Sequence, residues 1–244
     1  EYIFDHGWAD AFHRAGGQYY PKLLCAIPFT PASGRRLLIS TGDDVEDIRK
    51  ALSQGATAMT EKLGLSSLHL NFITEQEWSG LGDEGFLLRT DQQFHWLNEG
   101  YANFDDFLSD LASRKRKNLK KERQKAIENG IEIEWLTGHD LTEMHWDAFY
   151  DFYLDTSYRK WGEPYLKRDF FHRIQSSMAD KVLLILAKRE GNYIAGALNF
   201  IGSDSLFGRH WGCKEDHPFL HFECCYYQAI DFAIANGLKR VEAG

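Results

Sequence analysis

Apolar positions along this chain alternate between the two-residue period of strands and the three-to-four-residue period of helices. Tyr2 to Asp5 reads as a strand and Asp5-His6-Gly7-Trp8 as a turn. Ala9 to Ala15 then predicts a short helix stopped by Gly16-Gly17. Tyr19 to Phe29 reads as a second strand, Thr30 to Arg36 as a Pro/Gly loop, and Leu37-Leu38-Ile39 as a short strand. Asp43 and Asp44 open a long helix to about Leu63, where Gly64 stops it. Ser67 to Phe72 has the continuous apolar character of a buried strand. Thr74 to Leu81 predicts a short helix with Thr74 as N-cap and Glu77 completing a capping box. Gly85 to Thr90 and Gln92 to Leu97 read as a final pair of strands.

Phe104 to Asn129 predicts one long helix, capped by Asp105 and ended by Asn129-Gly130. Its first half is amphipathic through Phe104, Phe107, Leu108 and Leu111, and its second half is basic. Ile131 to Leu136 alternates as a strand, and Asp140 to Thr156 and Tyr165 to Ser177 are helical. Val182 to Lys188 and Tyr193 to Ile201 are strands around the turn Glu190-Gly191-Asn192. Ser205 to Trp211 is a strand, and Gly212 to Pro218 a polar loop with Pro218 as the first helical residue. Phe222, Tyr226, Ala229, Ile230 and Ala233 give the following helix one apolar face. Asn236-Gly237 stops it, and Lys239 to Ala243 starts another strand. The expectation is an α/β protein with mixed sheets flanked by helices. Its divisions fall at 1–103, a basic connecting helix at 104–130, and 131–244.

The chain has 244 residues, 43% apolar and 14% aromatic, enough for a substantial core. A formal net charge of −8 argues against a general nucleic-acid coat while leaving room for a local basic patch. That patch is the second half of the long helix. Arg114, Lys115, Arg116, Lys117, Lys120, Lys121, Arg123 and Lys125 are interrupted only by the single acid Glu122. Arg114, Lys117, Lys121 and Lys125 share one stripe, and Arg116, Lys120 and Arg123 the next. The functional reading is an anionic partner, namely tRNA, a nucleotide-sugar diphosphate or anionic lipid; the alternative is a solvated helix face. No aromatic residue for base stacking lies within the run. Cys25, Cys213, Cys224 and Cys225 form no CxxC pair and no zinc spacing, and read as free thiols of a cytoplasmic protein. No run reaches the length of a membrane span. Both termini read as cut within strands.

From 131 onward the element order resembles the Gcn5-related N-acetyltransferase (GNAT) fold, and the first part of the chain resembles a second such unit, each incomplete. Several local sequences are more specific. Asp5-His6-Gly7-Trp8-Ala9, Gln93-Phe94-His95-Trp96, Ser113 to Arg123, Gly208-Arg-His-Trp-Gly212 and Leu220 to Gln228 resemble the FemAB-like bacterial proteins. The family's relatives of known function extend peptidoglycan bridge peptides from aminoacyl-tRNA. The resemblance therefore implies an acyl- or aminoacyltransferase acting on an amine of a cell-envelope or peptide substrate. The donor would be aminoacyl-tRNA or acyl-CoA, and the acceptor an amine-bearing peptide or cell-wall precursor. A non-catalytic module holding an anionic ligand and a CoA-dependent N-acetyltransferase are the competing readings.

Acyl transfer to an amine needs a held donor, a proton acceptor and oxyanion stabilisation. His210, Glu223 and Tyr227 are the catalytic candidates, with His210 and Glu223 as proton acceptors. Arg209, Trp211, Glu215 and His221 crowd the same strand end and helix start, where α/β folds bind ligands. By resemblance, Lys160 and Trp161 in a helix–helix loop, and Asp5, His6 and Trp8, are substrate-contact candidates. Arg114, Arg116, Lys117, Lys120, Lys121 and Arg123 are the anion-binding candidates. The Gly-rich pyrophosphate loop usual in GNAT enzymes is missing from Gly212 to Pro218, which carries one Gly and two acids. Pro31-Ala-Ser-Gly34-Arg35-Arg36 is the better phosphate candidate. His217 and His221 are four apart, but Glu does not follow the first His as a zinc-protease motif requires, so no metal is expected.

Overall fold

A computed structural model describes residues 5–40, 42, 44–160 and 163–242, with the Lys160 side chain outside the described set. The chain divides into two compact units, Glu1–Gln92 and Gln93–Gly244.

In the first unit, helix α1 (His6–Arg14) begins earlier than the sequence predicts and absorbs the expected turn at His6-Gly7-Trp8. Its entry is fixed from the side-chain level. Asp5 is buried, and its carboxylate accepts from Tyr19 Oη (2.9 Å) and from Lys22 Nζ. The rest of the expected strand at Tyr2 to Asp5 lies outside the described residues. Strands β1 (Leu23–Cys25) and β2 (Leu68–Leu70) pair in parallel, and helix α2 (Val45–Lys62) connects them. The strand expected over 19–29 shortens because Pro21 and Pro28 bring no N–H to a ladder, and Phe29 turns away at φ +52°.

Helix α3 (Glu75–Asp83) carries the predicted capping box. Thr74 Oγ1 accepts from the Glu77 N–H (3.3 Å), and Glu77 Oε2 accepts from the Thr74 N–H (3.2 Å). Glu77 Oε1 also accepts from the N–H groups of Arg36 and Leu37, both at 2.8 Å. Burial alone would raise this carboxyl group, but the backbone donors outweigh it and hold Glu77 below its ordinary value. Leu37 to Ile39 forms no strand, and the Leu37 N–H goes to Glu77 instead of to a ladder. Gly85 to Thr90 forms none either; Leu87 in its middle is 96% exposed.

The second unit is built on a six-stranded sheet. Its order is β3 (His95–Leu97), β8 (Arg240–Glu242), β7 (Ser205–Cys213), β6 (Asn192–Ile201), β5 (Val182–Arg189) and β4 (Ile131–Leu136). All neighbours are antiparallel except β7 and β8. The segment expected to pair with 85–90 thus joins a different sheet, as β3. Helices α6 (Glu143–Lys160) and α7 (Arg168–Met178) cover one face, where Trp146, Phe149, Phe152 and Phe171 pack on Leu184, Leu186 and Leu198. On the other face, Leu183, Ile185, Ala187 and Leu206 belong to a core shared with Leu108, Tyr227, Ala229 and Phe232.

The expected helix over 104–129 is two helices, α4 (Phe104–Ser109) and α5 (Ser113–Ala126). Asn103, not Asp105, caps the first, accepting from the Asp106 N–H at 2.9 Å. Ser109 Oγ turns back onto the Asp106 carbonyl (2.6 Å), a local bond of the kind that competes with helix continuation.

The helix after the polar loop also departs from expectation. Pro218 does not start it. Phe219 adopts a left-handed conformation at φ +65°, and α8 (Leu220–Phe222) follows. The chain then passes through a π-helical segment, Glu223–Tyr227, into α9 (Gln228–Ala235). The wider π turn shifts the buried face. Leu220, Glu223, Cys224 and Tyr227 turn inward, whereas the expected core residues Phe222 and Tyr226 turn outward.

Gly212 permits the close approach of α6 to β7. A Cβ there would lie 2.4 Å from the Phe152 carbonyl oxygen. Gly212→Ala is expected to lower stability by about 1–3 kcal/mol through overpacking. A denaturant midpoint unchanged from wild type would contradict this packing.

Candidate active site at a strand bulge

Strand β7 contains one residue too many for its ladder. Leu198 lies opposite His210 and Asn199 opposite Gly208, so Arg209 is the extra residue of a β-bulge. The bulge reverses the side-chain alternation. Leu206 and Trp211, five residues apart, both join the layer under α9, while His210 pairs with Leu198 of the layer under α6.

His210 therefore meets aromatic residues of α6 and the α6–α7 connection. Its ring lies 5.2 Å from that of Tyr153, edge to face, and 6.0 Å from that of Tyr165. Tyr165 Oη lies 3.3 Å from His210 Nε2 and accepts from the Arg209 guanidinium at 3.4 Å. With Arg209 donating to the phenol oxygen, the phenol proton can be directed at Nε2, which places the imidazole proton on Nδ1. Tyr153 is itself positioned by the connecting loop: its Oη accepts from the Leu166 N–H at 3.0 Å. Burial, and secondarily the positive charge of Arg209, push the His210 pKa down from 6.5 to about 3.

This depression couples to stability with a definite sign. Between about pH 3 and 6.5 the unfolded chain binds a proton at His210 that the folded chain does not. Stability therefore falls as pH drops below 6.5, by about 2 kcal/mol at pH 5 from this group. The pH dependence of the urea midpoint should become shallower over that window in His210→Phe. An identical slope in both proteins would remove His210 as the cause.

The other sequence candidates do not converge on His210. Trp211 and His221 stack edge to face at 5.2 Å on the opposite face of the sheet. Glu223 is 1% exposed, and both its oxygens are engaged. Arg123 donates to Oε1 (2.9 Å) and Oε2 (3.2 Å), and Gln228 Nε2 donates to Oε1 (2.7 Å). Arg123 also reaches Asp231 at 2.7 Å and lies over the Phe104 ring at 4.2 Å. Burial alone would lower the Arg123 pKa, but Glu223 and Asp231 raise it. Tyr227 donates to Glu122 at 2.6 Å, and burial with that bond raises its pKa. Glu223 and Tyr227 thus share a face, as their spacing predicts, but that face pins α5 to the π segment. Glu223, expected as a proton acceptor, and Arg123, expected as an anion-binding residue, are here engaged with each other.

Glu215 accepts two bonds from Arg189 (3.0 and 3.1 Å) and lies 2.7 Å from His217 Nε2. Bonds first from Arg189 and then from His217 hold its carboxyl group below the ordinary value. A carboxylate sits where a pyrophosphate loop would need amides. The first-unit alternative is also committed elsewhere. The Gly34 N–H donates to the Phe72 carbonyl (2.9 Å), and Arg36 donates to the carbonyls of Gly34 and Asn71 (2.9 Å each).

Asp5, His6 and Trp8 belong to the first unit, where Asp5 holds Lys22 and the Arg89 guanidinium lies 5.0 Å from the Trp8 ring. Trp161 and the Lys160 side chain lie outside the described residues. Arg114, Lys117, Lys120 and Lys121 are exposed on α5 and Arg116 is half-buried; Lys120 pairs with Asp105 at 2.7 Å. No cluster of metal-ligating side chains occurs among the described residues. Tyr153 and Tyr165 went unanticipated. Tyr153 is hidden within an aromatic helix, and Tyr165 was expected as the first residue of the helix that in fact begins at Arg168.

Several solved structures are similar to this chain in fold. The L-PGS structure from Bacillus licheniformis is 10% identical with a TM-score of 0.58, covering 82% of this chain and 60% of that one. The C-terminal domain of a putative lysylphosphatidylglycerol synthetase from Agrobacterium fabrum is 12% identical with a TM-score of 0.58, covering 82% and 59%. The chain thus spans about three fifths of the length of these two structures. A FemX structure is 11% identical with a TM-score of 0.55, covering 88% of this chain and 73% of that one. These identities establish likeness of fold. No curated protein matches the sequence. The chain belongs to the FemAB-like family, described as peptidoglycan biosynthesis/recognition, whose model matches residues 1–244.

Proposed function

We propose that this chain carries out aminoacyl transfer of the FemAB type, moving an aminoacyl group from a tRNA ester to an amine of a cell-wall peptide precursor. Family membership supports the chemistry, and the bulge-borne His210–Tyr165–Arg209 arrangement is the observation that carries it to a place. We also read both units as portions of GNAT-like layers, with the parallel β7–β8 pair as the donor-side strands of the second.

In this reading the amine nitrogen attacks the ester carbonyl carbon. An N–C amide bond forms, the C–O bond to ribose breaks, and the amine proton ends on the departing ribose oxygen. Neutral His210 and the Tyr165 hydroxyl pass that proton from the attacking nitrogen to the departing ribose oxygen. A weakly basic imidazole suffices for such a relay, because the departing alkoxide is the strong base that finally holds the proton. The Glu215 carboxylate in the loop after β7 disfavours a CoA pyrophosphate there and so favours an ester donor over a thioester.

Donor binding to the full-length protein tests the reading. Aminoacyl-tRNA is expected to bind more tightly than uncharged tRNA, and to weaken as salt is raised. Saturable acetyl-CoA binding without any preference for charged tRNA would move the reaction to conventional N-acetyl transfer.

A further inference from the structure

The buried carboxylates among the described residues belong to Asp5, Glu77, Glu223 and Glu242. The first three are all bonded. Asp5 accepts from Tyr19 and Lys22, Glu77 from the Arg36 and Leu37 N–H groups, and Glu223 from Arg123 and Gln228. Glu242, 5% exposed at the end of β8, accepts no hydrogen bond from the described residues. Its nearest basic groups stand off, Arg240 Nε at 3.6 Å and His95 Nε2 at 4.0 Å. Both are committed elsewhere. Arg240 Nε donates to Ser205 Oγ at 2.7 Å, and His95 Nε2 lies 3.0 Å from Gln93 Oε1. A buried carboxylate without a donor costs stability, so packing does not account for it.

Its place in the sheet does. Leu206 and Val241, paired across β7 and β8, both lie in the core under α9. The next pair, Phe207 and Glu242, therefore faces the α6 side. His95 pairs with Glu242 from β3 and faces the same way, while its neighbour Trp96 packs under α9. The α6 side is also the side of His210. On β6, Phe200 lies opposite Phe207 and Leu198 opposite His210, so Glu242 and His210 are two ladder steps apart, roughly 7 Å along the sheet. One substrate can touch both.

A carboxylate with open acceptor positions takes an N–H or O–H donor, and best a charged one. No group of metal-ligating side chains surrounds it among the described residues. A free alkyl amine is an ammonium ion at neutral pH, with three N–H donors. We infer that Glu242 binds the ammonium group of the acceptor and so selects an amine over a hydroxyl. This rests on the transfer to an amine proposed above and names the residue that holds that amine.

The test measures binding by the full-length protein of a synthetic stem peptide with a free side-chain amine, and of the same peptide with a hydroxyl in its place. Wild type is expected to prefer the amine. Glu242→Gln keeps the shape and removes the charge. It should weaken the amine peptide about 10- to 100-fold, as for loss of a charge-assisted hydrogen bond, and leave the hydroxyl peptide unchanged. Its urea midpoint should equal or exceed that of wild type, because an unbonded buried charge is gone. Arg240→Gln should retain the preference. If Glu242 instead serves to pin β3 and β8 through Arg240 and His95, both variants lower the midpoint and neither changes the preference. A lowered midpoint in Glu242→Gln, or an amine preference equal to wild type, would overturn the inference. Loss of the preference in Glu242→Gln, with no aminoacyl transfer by wild type, would overturn the proposed reaction alone. Transfer by wild type with a preference that ignores Glu242 would overturn the ammonium site alone.

Discussion

Glu223→Ala is expected to destabilise the protein by about 3 kcal/mol, the low end of the cost of breaking a buried ion pair. The Arg123 guanidinium would keep Asp231 but lose both contacts to Glu223, and Gln228 would lose its acceptor. At this chain length the melting temperature should fall by roughly 10 °C. Removing both charges is a different matter. Arg123→Met/Glu223→Leu removes both charges of the buried pair, leaving only the part-exposed Asp231 without its partner, and should recover part of the loss. A proton acceptor at Glu223 predicts the opposite pattern: turnover lost, with urea midpoint and melting temperature preserved. Urea unfolding of the single and double variants separates the two roles. A stable, inactive Glu223→Ala would restore the catalytic one.

His210→Phe should reverse that signature. Phenylalanine can keep the edge-to-face contact with Tyr153, so the fold persists while the relay is gone. Turnover is expected to fall about 10²- to 10⁴-fold, the range for loss of a positioned proton-transfer group. Tyr165→Phe removes only the hydroxyl between Arg209 and His210 and should cost less. The wild-type rate should show no inflection near pH 6.5, because His210 is already neutral well below that value. Steady-state rates of transfer across pH check both statements. A rate in His210→Phe within a few-fold of wild type would remove the imidazole from the reaction.

Much of the scaffold was legible where the cause is local. The capping box of Thr74 and Glu77, the stop at Gly237 and the run of strands from Ile131 to Cys213 depend on neighbouring residues, and the structure contains each. The site was half legible. Arg209 and His210 stood out in a strand crowded with polar groups, but the bulge that sends His210 to α6 is a matter of register with β6. One extra residue reverses every side chain beyond it, and nothing in Gly208-Arg-His-Trp-Gly212 marks which residue is extra. The ion pair of Glu223 was not legible for a related reason. Its partner Arg123 lies 100 residues away, in a run read either as an anion-binding surface or as a solvated face. The π turn escaped because apolar spacing was counted at 3.6 residues per turn. At that period Phe222 and Tyr226 fall in the core, and the wider turn moves them out.

The most direct measurement follows the bond that is made. Full-length protein is incubated with tRNA bearing a labelled aminoacyl ester and with a synthetic peptidoglycan stem peptide carrying a free side-chain amine. Products are then treated with mild alkali, which cleaves esters and spares amides. The account predicts label in an alkali-stable peptide product, formed by wild type and greatly reduced in His210→Phe although both bind the tRNA equally. Label that stays alkali-labile with wild type, while acetyl-CoA supports acylation of the same amine, would contradict it.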